Sequence, residues 1–286
     1  GGAMPDTAYE RIRVDRPLEG VARVTLARPE AANAQDRRML YEINDALDRA
    51  SRDGAVKVIV VAADGVHFSS GHDLRDRAKL DEFDTVLNVG GFDAPGQEGY
   101  MAQEQEIYLG FCWRWRNIPK PTIASVQGKV IAGGLMLVWP FDIVVAAENA
   151  QFSDPVVAFG ANGVEYFVHP YEVGARKAKQ MLFTGDAISA AEAQRLGMVN
   201  EVVPLDRLED ETLALAAKIA AQPLMGLKLA KQSVNQALDN MGMWGTLQAA
   251  FGLHHLSHSH NAQRFGMIVD PEGAERIKAQ ARAARP

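Results

Sequence analysis

The sequence holds a single cysteine, Cys112, in 286 residues, so no disulfide can staple the chain to itself. Its neighbours Phe111 and Trp113 suggest a core position rather than a reactive thiol. Such cysteine usage suits a reducing, cytoplasmic compartment. No apolar run approaches the ~20 residues that a bilayer span needs, because Gly, Pro or a charge interrupts each one, and the first residues carry no signal-peptide pattern. A membrane partner is therefore not expected. Positive charge is not in excess either: the formal net charge is −6, without the basic footprint that a phosphate backbone demands. Nucleic acid is not expected as a partner.

What is present is hydrophobic content of 47%, enough for one large core with a helical appendage. Short β-type runs at Ile12 to Val14 and Val21 to Leu26 flank Pro17-Leu18-Glu19-Gly20, a turn composition that predicts a hairpin. Met39, Ile43 and Leu47 recur at the spacing of one helical face, and the β-branched run from Val56 to Ala62 predicts a buried strand. The alternation continues with a helix over Met101 to Arg116, a strand over Thr122 to Val126, a helix over Ala132 to Val138 and a strand over Ile143 to Ala146. Units of this kind imply an α/β layer architecture. From Ala175 onward helices dominate: about Ala175 to Thr184, Ala190 to Leu196, Leu208 to Ala221, Pro223 to Asn240 and Ala274 to Ala284. Asp81 to Gly99 carries four glycines without periodicity and predicts a long loop of the kind that covers a site.

Two glycine-containing turns carry the chemical signal: Phe68-Ser69-Ser70-Gly71-His72-Asp73-Leu74 after a buried strand, and Gly128-Lys129-Val130-Ile131-Ala132-Gly133-Gly134 before a helix. Glycine lets a backbone approach a ligand closely, and N–H groups at a helix start point toward negative charge. Together the turns could hold an oxyanion. Either alone could be an ordinary turn.

With these turns the sequence resembles the crotonase family of acyl-coenzyme A enzymes. The likeness continues through Phe141-Asp142-Ile143, Ala150-Gln151-Phe152-Ser153-Asp154-Pro155, Phe183-Thr184-Gly185-Asp186, Ser189-Ala190-Ala191-Glu192-Ala193 and Leu196-Gly197-Met198-Val199-Asn200, with Asn33-Ala34 near the start. It runs in order from about Val21 to Pro204. The resemblance implies a repeated ββα spiral core over residues 1–204 that binds acyl-CoA, and a C-terminal helical trimerisation region over residues 205–286. It also implies a homotrimer or a dimer of trimers, with coenzyme A part of the substrate and no separate cofactor. By the same resemblance the backbone N–H groups of His72 and Gly133 hold the thioester carbonyl. Substrate contacts fall on Arg28, Ala32, Ser70, Gly71, Asp73, Leu74, Ala132, Met136 and Val156. Arg28, Arg75 and Arg77 are candidates to meet phosphates, although surface arginines commonly have no ligand.

The departures bear on the reaction. Family hydratases carry two glutamates where this chain has Met136 and Val156, and neither side chain can move a proton. Replacement acid/base groups are sought in Gly160-Ala161-Asn162-Gly163-Val164-Glu165-Tyr166-Phe167-Val168-His169, a loop in which some family isomerases place a carboxylate. Glu165 is the first candidate base, since apolar neighbours raise a carboxylate's pKa; an exposed glutamate at a helix start is the bland alternative. Tyr166 and His169 are further candidates, and either could equally be a packing residue. Asp154 reads as a turn or cap before Pro155. The imidazole of His72 could serve as an acid/base group or merely pack its loop. His254, His255, His258 and His260 invite a metal reading, but with no carboxylate beside them in sequence a helix surface or subunit contact is expected, and no metal.

Three functions fit this pattern. The first is an acyl-CoA enzyme of enoyl-CoA hydratase/isomerase type working through an enolate, by isomerisation or an atypical hydration. The second is a catalytically silent acyl-CoA binder. The third is an acyl-CoA hydrolase or decarboxylase of the same family.

Overall fold

A computed structural model describes residues 9–284. The opening hairpin forms as expected: β1 (Ile12–Leu18) pairs antiparallel with β2 (Val21–Leu26). Parallel strands follow, β3 (Val58–Ala63), β4 (Thr122–Val126), β6 (Ile143–Ala147) and β9 (Glu201–Val203), giving a six-stranded sheet in the order β1-β2-β3-β4-β6-β9. A smaller sheet contains β5 (Lys129–Ile131), β7 (Gln151–Ser153) and β8 (Ile188–Ser189). The chain steps between the two as it winds. After β3 it passes through Ser69, which bridges Val130 of β5, and β4 is followed by β5 as β6 is by β7. This is the repeated spiral that the sequence predicts.

β3, β4 and β6 are largely buried on both faces, which is why β3 reads as a β-branched run. Val58 and Val60 of β3 pack with Leu208 and Ala216 of α7 (Leu208–Ala220), while Ile59 and Val61 point into the main core. Burying each such side chain contributes about 1.5–3 kcal/mol relative to exposure. In α1 (Arg37–Arg52), Met39, Ile43, Leu47 and Ala50 face that core, and the Asp36 carboxylate caps the helix by accepting from the Met39 N–H at 2.8 Å. Gln35 is thereby fixed just outside the helix start, where the site needs it.

The helix predicted over Met101 to Arg116 is three pieces: α2 (Gln97–Glu104), a π-helical turn (Gln105–Gly110) and α3 (Phe111–Arg116). Wide turns of this type often accompany functional sites. This one carries Glu106, whose carboxylate accepts from the Val86 and Leu87 N–H groups and ties down the glycine-rich stretch before α2. The helix predicted from Ala132 is a 3-10 helix, Ala132–Leu137. Beyond β7 lie α4 (His169–Val173), α5 (Ala175–Thr184) and α6 (Ala190–Leu196). After α7 come α8 (Leu224–Asn240), α9 (Met243–Phe265) and α10 (Gly273–Ala283). The longest helix among the described residues, α9, contains the helical segment expected around the histidines and begins well before it. Its buried face begins with Met243, Leu247, Ala250 and Phe251 and continues with His254, His255, His258 and Asn261. The apolar signal stops halfway along a face that stays buried throughout.

Candidate active site

The two glycine turns meet. A hydrogen-bond network centred on Gln35 and Ser69 holds them: the Gln35 amide donates to Ser69 Oγ at 3.1 Å and to the Gly133 carbonyl at 2.8 Å, and Ser69 Oγ donates to the Asn33 carbonyl at 3.0 Å. The Ser70 N–H adds a bond to the Ala32 carbonyl at 2.9 Å. Gln35 also pairs with the 71–73 backbone, using the Gly71 carbonyl and the Asp73 N–H, each at 2.8 Å. That pairing turns the His72 N–H to the opposite side, where it donates to no group among the described residues. Gly133 lies in the first turn of its 3-10 helix, where N–H groups have no partner within the helix.

The turns are packed too closely for side chains. A Cβ at Gly71 would lie 2.9 Å from the Ile131 carbonyl and 3.3 Å from the Gly133 nitrogen. One at Gly133 would lie 3.3 Å from the His72 nitrogen and within 2.7 Å of its ring. Ala132 itself takes a left-handed conformation, φ 47°. Two unengaged N–H donors thus stand side by side, as an oxyanion site requires. The His72 imidazole stacks on Tyr108 with ring centroids 4.1 Å apart, and its Nε2 is buried without a partner. Burial holds this imidazole below the usual histidine range.

Glu165 is buried, at 6% exposure, so the exposed helix-start reading does not hold. Its Oε1 lies 3.1 Å from His254 Nε2, and its Oε2 is buried without a partner. The histidine expectation also needs correction. His254, His255 and His258 are buried, and only His260 is exposed. A carboxylate absent from their sequence neighbourhood stands among them: Glu104 Oε1, from the end of α2, is 3.6, 3.2 and 3.0 Å from the Nε2 atoms of His254, His255 and His258.

The charges in this cluster are interdependent. The raised value expected of Glu165 from its apolar neighbours does not hold: burial pushes it up, but His254, the contact with it and nearby His72 outweigh burial and hold this carboxylate below the usual range. Glu104 goes the other way: burial first, then the charge of Glu165, push it well above the carboxylate range. Burial would lower His254, yet Glu165 raises it above the ordinary histidine value. Two carboxyls in one site cannot both ionise freely, so the rise at Glu104 and the fall at Glu165 are two sides of one coupling.

The remaining candidates are distributed differently. His169 is fully buried on α4, with Nε2 2.6 Å from Asp154 Oδ2, while the same oxygen accepts from the Val164 N–H at 3.0 Å. Asp154 is therefore not a simple turn residue but half of a buried pair. Trp139 and Phe167 pack against the His169 ring, and its Nδ1 is buried without a partner. Tyr166 is a core side chain, 1% exposed and packed in the main cluster. Met136 is buried as well, its carbonyl in contact with Cys112 Sγ at 3.5 Å, and Val156 is partly buried at the start of a 3-10 turn, Val156–Phe159. Arg28 turns inward, donating to the Ala34 carbonyl at 2.7 Å with Asp73 at 3.4 Å. Arg75 is largely exposed, Arg77 donates to the Leu74 carbonyl, and the Leu74 side chain is exposed. Asn33 and Ala32, both left-handed, form the tight turn that carries the Asn33 side chain to the Asp64 and His67 carbonyls.

Spiral core and paired turns are those of the enoyl-CoA hydratase/isomerase family, whose sequence profile matches residues 17–274. The chain belongs to this family. It is 42% identical over 260 residues to a Mycobacterium tuberculosis protein named "Putative enoyl-CoA hydratase EchA13", covering 88% of this chain and 82% of that one. A solved structure from Mycobacterium thermoresistibile, titled a "probable enoyl-CoA hydratase", superimposes with a TM-score of 0.83 at 47% identity, covering 91% of this chain and 99% of that one. An enoyl-CoA hydratase/isomerase structure from Xanthobacter autotrophicus gives 0.76 at 33% identity, over 98% and 100% of the two chains.

Proposed function

We propose that the protein binds an acyl-CoA thioester with its carbonyl between the His72 and Gly133 N–H groups and removes or returns the adjacent proton through Glu165. The observation that carries this reading is two unengaged backbone donors in the same site as a buried carboxylate that lies 3.1 Å from His254 Nε2. The donors stabilise the enolate oxygen, and a positioned carboxylate moves the proton. Isomerisation or an atypical hydration follows from which carbon receives the proton or the water. The buried Met136 and the valine at 156 favour an outcome other than syn hydration between two glutamates. Names carried by relatives support acyl-CoA as the substrate class.

A homotrimer or a dimer of trimers accompanies this reading, supported by exposed apolar side chains on the C-terminal helices, among them Met225, Val234, Leu253 and Leu256. A cytoplasmic setting also accompanies it; no single helix among the described residues is long and apolar enough to cross a membrane.

The test is a panel of enoyl-, dienoyl- and branched acyl-CoA esters read by mass spectrometry in light and heavy water. Deuterium uptake without a change of composition marks isomerisation, and a gain of water marks hydration. Silence across the panel with retained binding marks the non-catalytic alternative, and free coenzyme A the hydrolytic one.

A further inference from the structure

The geometry points to a binding site for a divalent transition-metal ion of the zinc class, held by Glu104, His254 and His258. The first argument is tautomeric. His254 Nδ1 lies 2.9 Å from the Gly163 carbonyl and His258 Nδ1 lies 3.0 Å from the Ile268 carbonyl. A carbonyl only accepts, so each Nδ1 carries the hydrogen, and in a neutral ring Nε2 then holds a lone pair. Backbone carbonyls orient metal-binding histidines in this way.

The second argument is convergence. Ligand atoms of Glu104, His254 and His258 all lie within 4.8 Å of one another. The Glu104 Oε1 separations of 3.6 Å from His254 and 3.0 Å from His258 straddle the roughly 3.3 Å edge of a tetrahedron with ligand bonds of about 2.0–2.1 Å. His255 is the excluded neighbour: its Nδ1 accepts from the Gln97 amide at 2.7 Å, so its Nε2, 3.2 Å from the same oxygen, carries the hydrogen.

The third argument is that hydrogen bonds alone serve the cluster poorly. The Nε2 of His254 is buried without a hydrogen-bond partner, although it lies 3.1 Å from Glu165 Oε1 and 3.6 Å from Glu104 Oε1. An ion accepts lone pairs that an N–H geometry leaves unused. The donor set of imidazoles and one carboxylate suits zinc, cobalt or nickel rather than magnesium or calcium. Sequence spacing could not reveal the site, because the carboxylate comes from α2 and the imidazoles from α9.

The experiment uses untagged full-length protein. Metal content is measured on the purified protein; the protein is then stripped with a chelator and titrated with cobalt(II) and with zinc. We expect one ion per chain, the visible ligand-field bands of low-coordinate cobalt(II), and a melting temperature that rises with zinc. Glu104→Gln and His258→Ala should each weaken cobalt binding by at least the roughly 10–100-fold that loss of an outer-shell partner costs. His260→Ala, which alters the exposed histidine, should bind as the parent does. No bound metal, no cobalt bands and an unshifted melting temperature would overturn the site, as would unchanged cobalt affinity in both ligand variants. Deuterium exchange on acyl-CoA is read separately. Its absence in the parent protein with cobalt bands intact counts against Glu165 and not against the metal site.

Discussion

His254 Nε2 lies 3.1 Å from Glu165 Oε1, joining the C-terminal helix α9 to the loop before α4. The contact places an imidazole beside a buried carboxylate within the same chain. It brings α9 to the proposed base.

Gly133→Ala tests the paired turns. The new Cβ would fall within 2.7 Å of the His72 ring, so the ring and its backbone must move and the two donors lose register. Proton exchange at the carbon next to the thioester should fall roughly 10²- to 10³-fold, the usual cost of losing one oxyanion donor. The melting temperature should change little. An alanine variant with the parent's exchange rate would remove Gly133 from the oxyanion assignment.

His169→Leu tests the buried pair with Asp154. Removing one partner of a buried hydrogen bond costs about 1–3 kcal/mol, and more where a charged group is left unsatisfied. For a chain of this size the melting temperature should drop by several degrees. Adding Asp154→Leu should recover part of the loss, since the unsatisfied buried polar group is then gone. Calorimetry of the three proteins decides it, and a single variant as stable as the parent contradicts the pairing.

Glu172 supplies a pH dependence with a definite sign. Burial, with no cation paired to it among the described residues, raises its carboxyl from 4.5 to about 8. A raised acid favours the fold fully below the unfolded value. That advantage is lost as pH rises toward 8, where the folded state must either hold the proton or bury a charge. Between pH 5 and 8 the parent should therefore lose stability faster than Glu172→Gln, measured by urea unfolding at stepped pH. Parallel curves would show that Glu172 ionises normally.

The fold was legible because its signals are local. β-Branched runs such as Val58 to Val61 and the Met39-Ile43-Leu47 spacing each report one element, and the turns around Gly71 and Gly133 report where the backbone comes close. Glu165 was legible as a carboxylate among apolar neighbours. The rest of the site was not, because it exists only through tertiary contact. Glu104 reaches the histidines from the end of α2, and Asp154 meets His169 across the turn at Gly160 to Gly163. The histidines of α9 were misjudged for a related reason. They occupy a buried helical face whose apolar residues end at Phe251, so a hydrophobicity pattern reads that half as surface. Tyr166 shows the converse: beside Glu165 in sequence, it points into the core and not the site.

The central claim is that Glu165 moves a proton on a thioester held by His72 and Gly133. Its most direct measurement is deuterium uptake from heavy water into butyryl-CoA, a saturated ester that can be neither hydrated nor isomerised, in the parent and in Glu165→Gln. Glutamine keeps the size of the side chain and removes its capacity to accept a proton. The account predicts measurable exchange in the parent, a loss of about 10²- to 10⁴-fold in the variant, and nearly equal butyryl-CoA affinity in both. Equal exchange in the two proteins, or none in the parent despite binding, would contradict it.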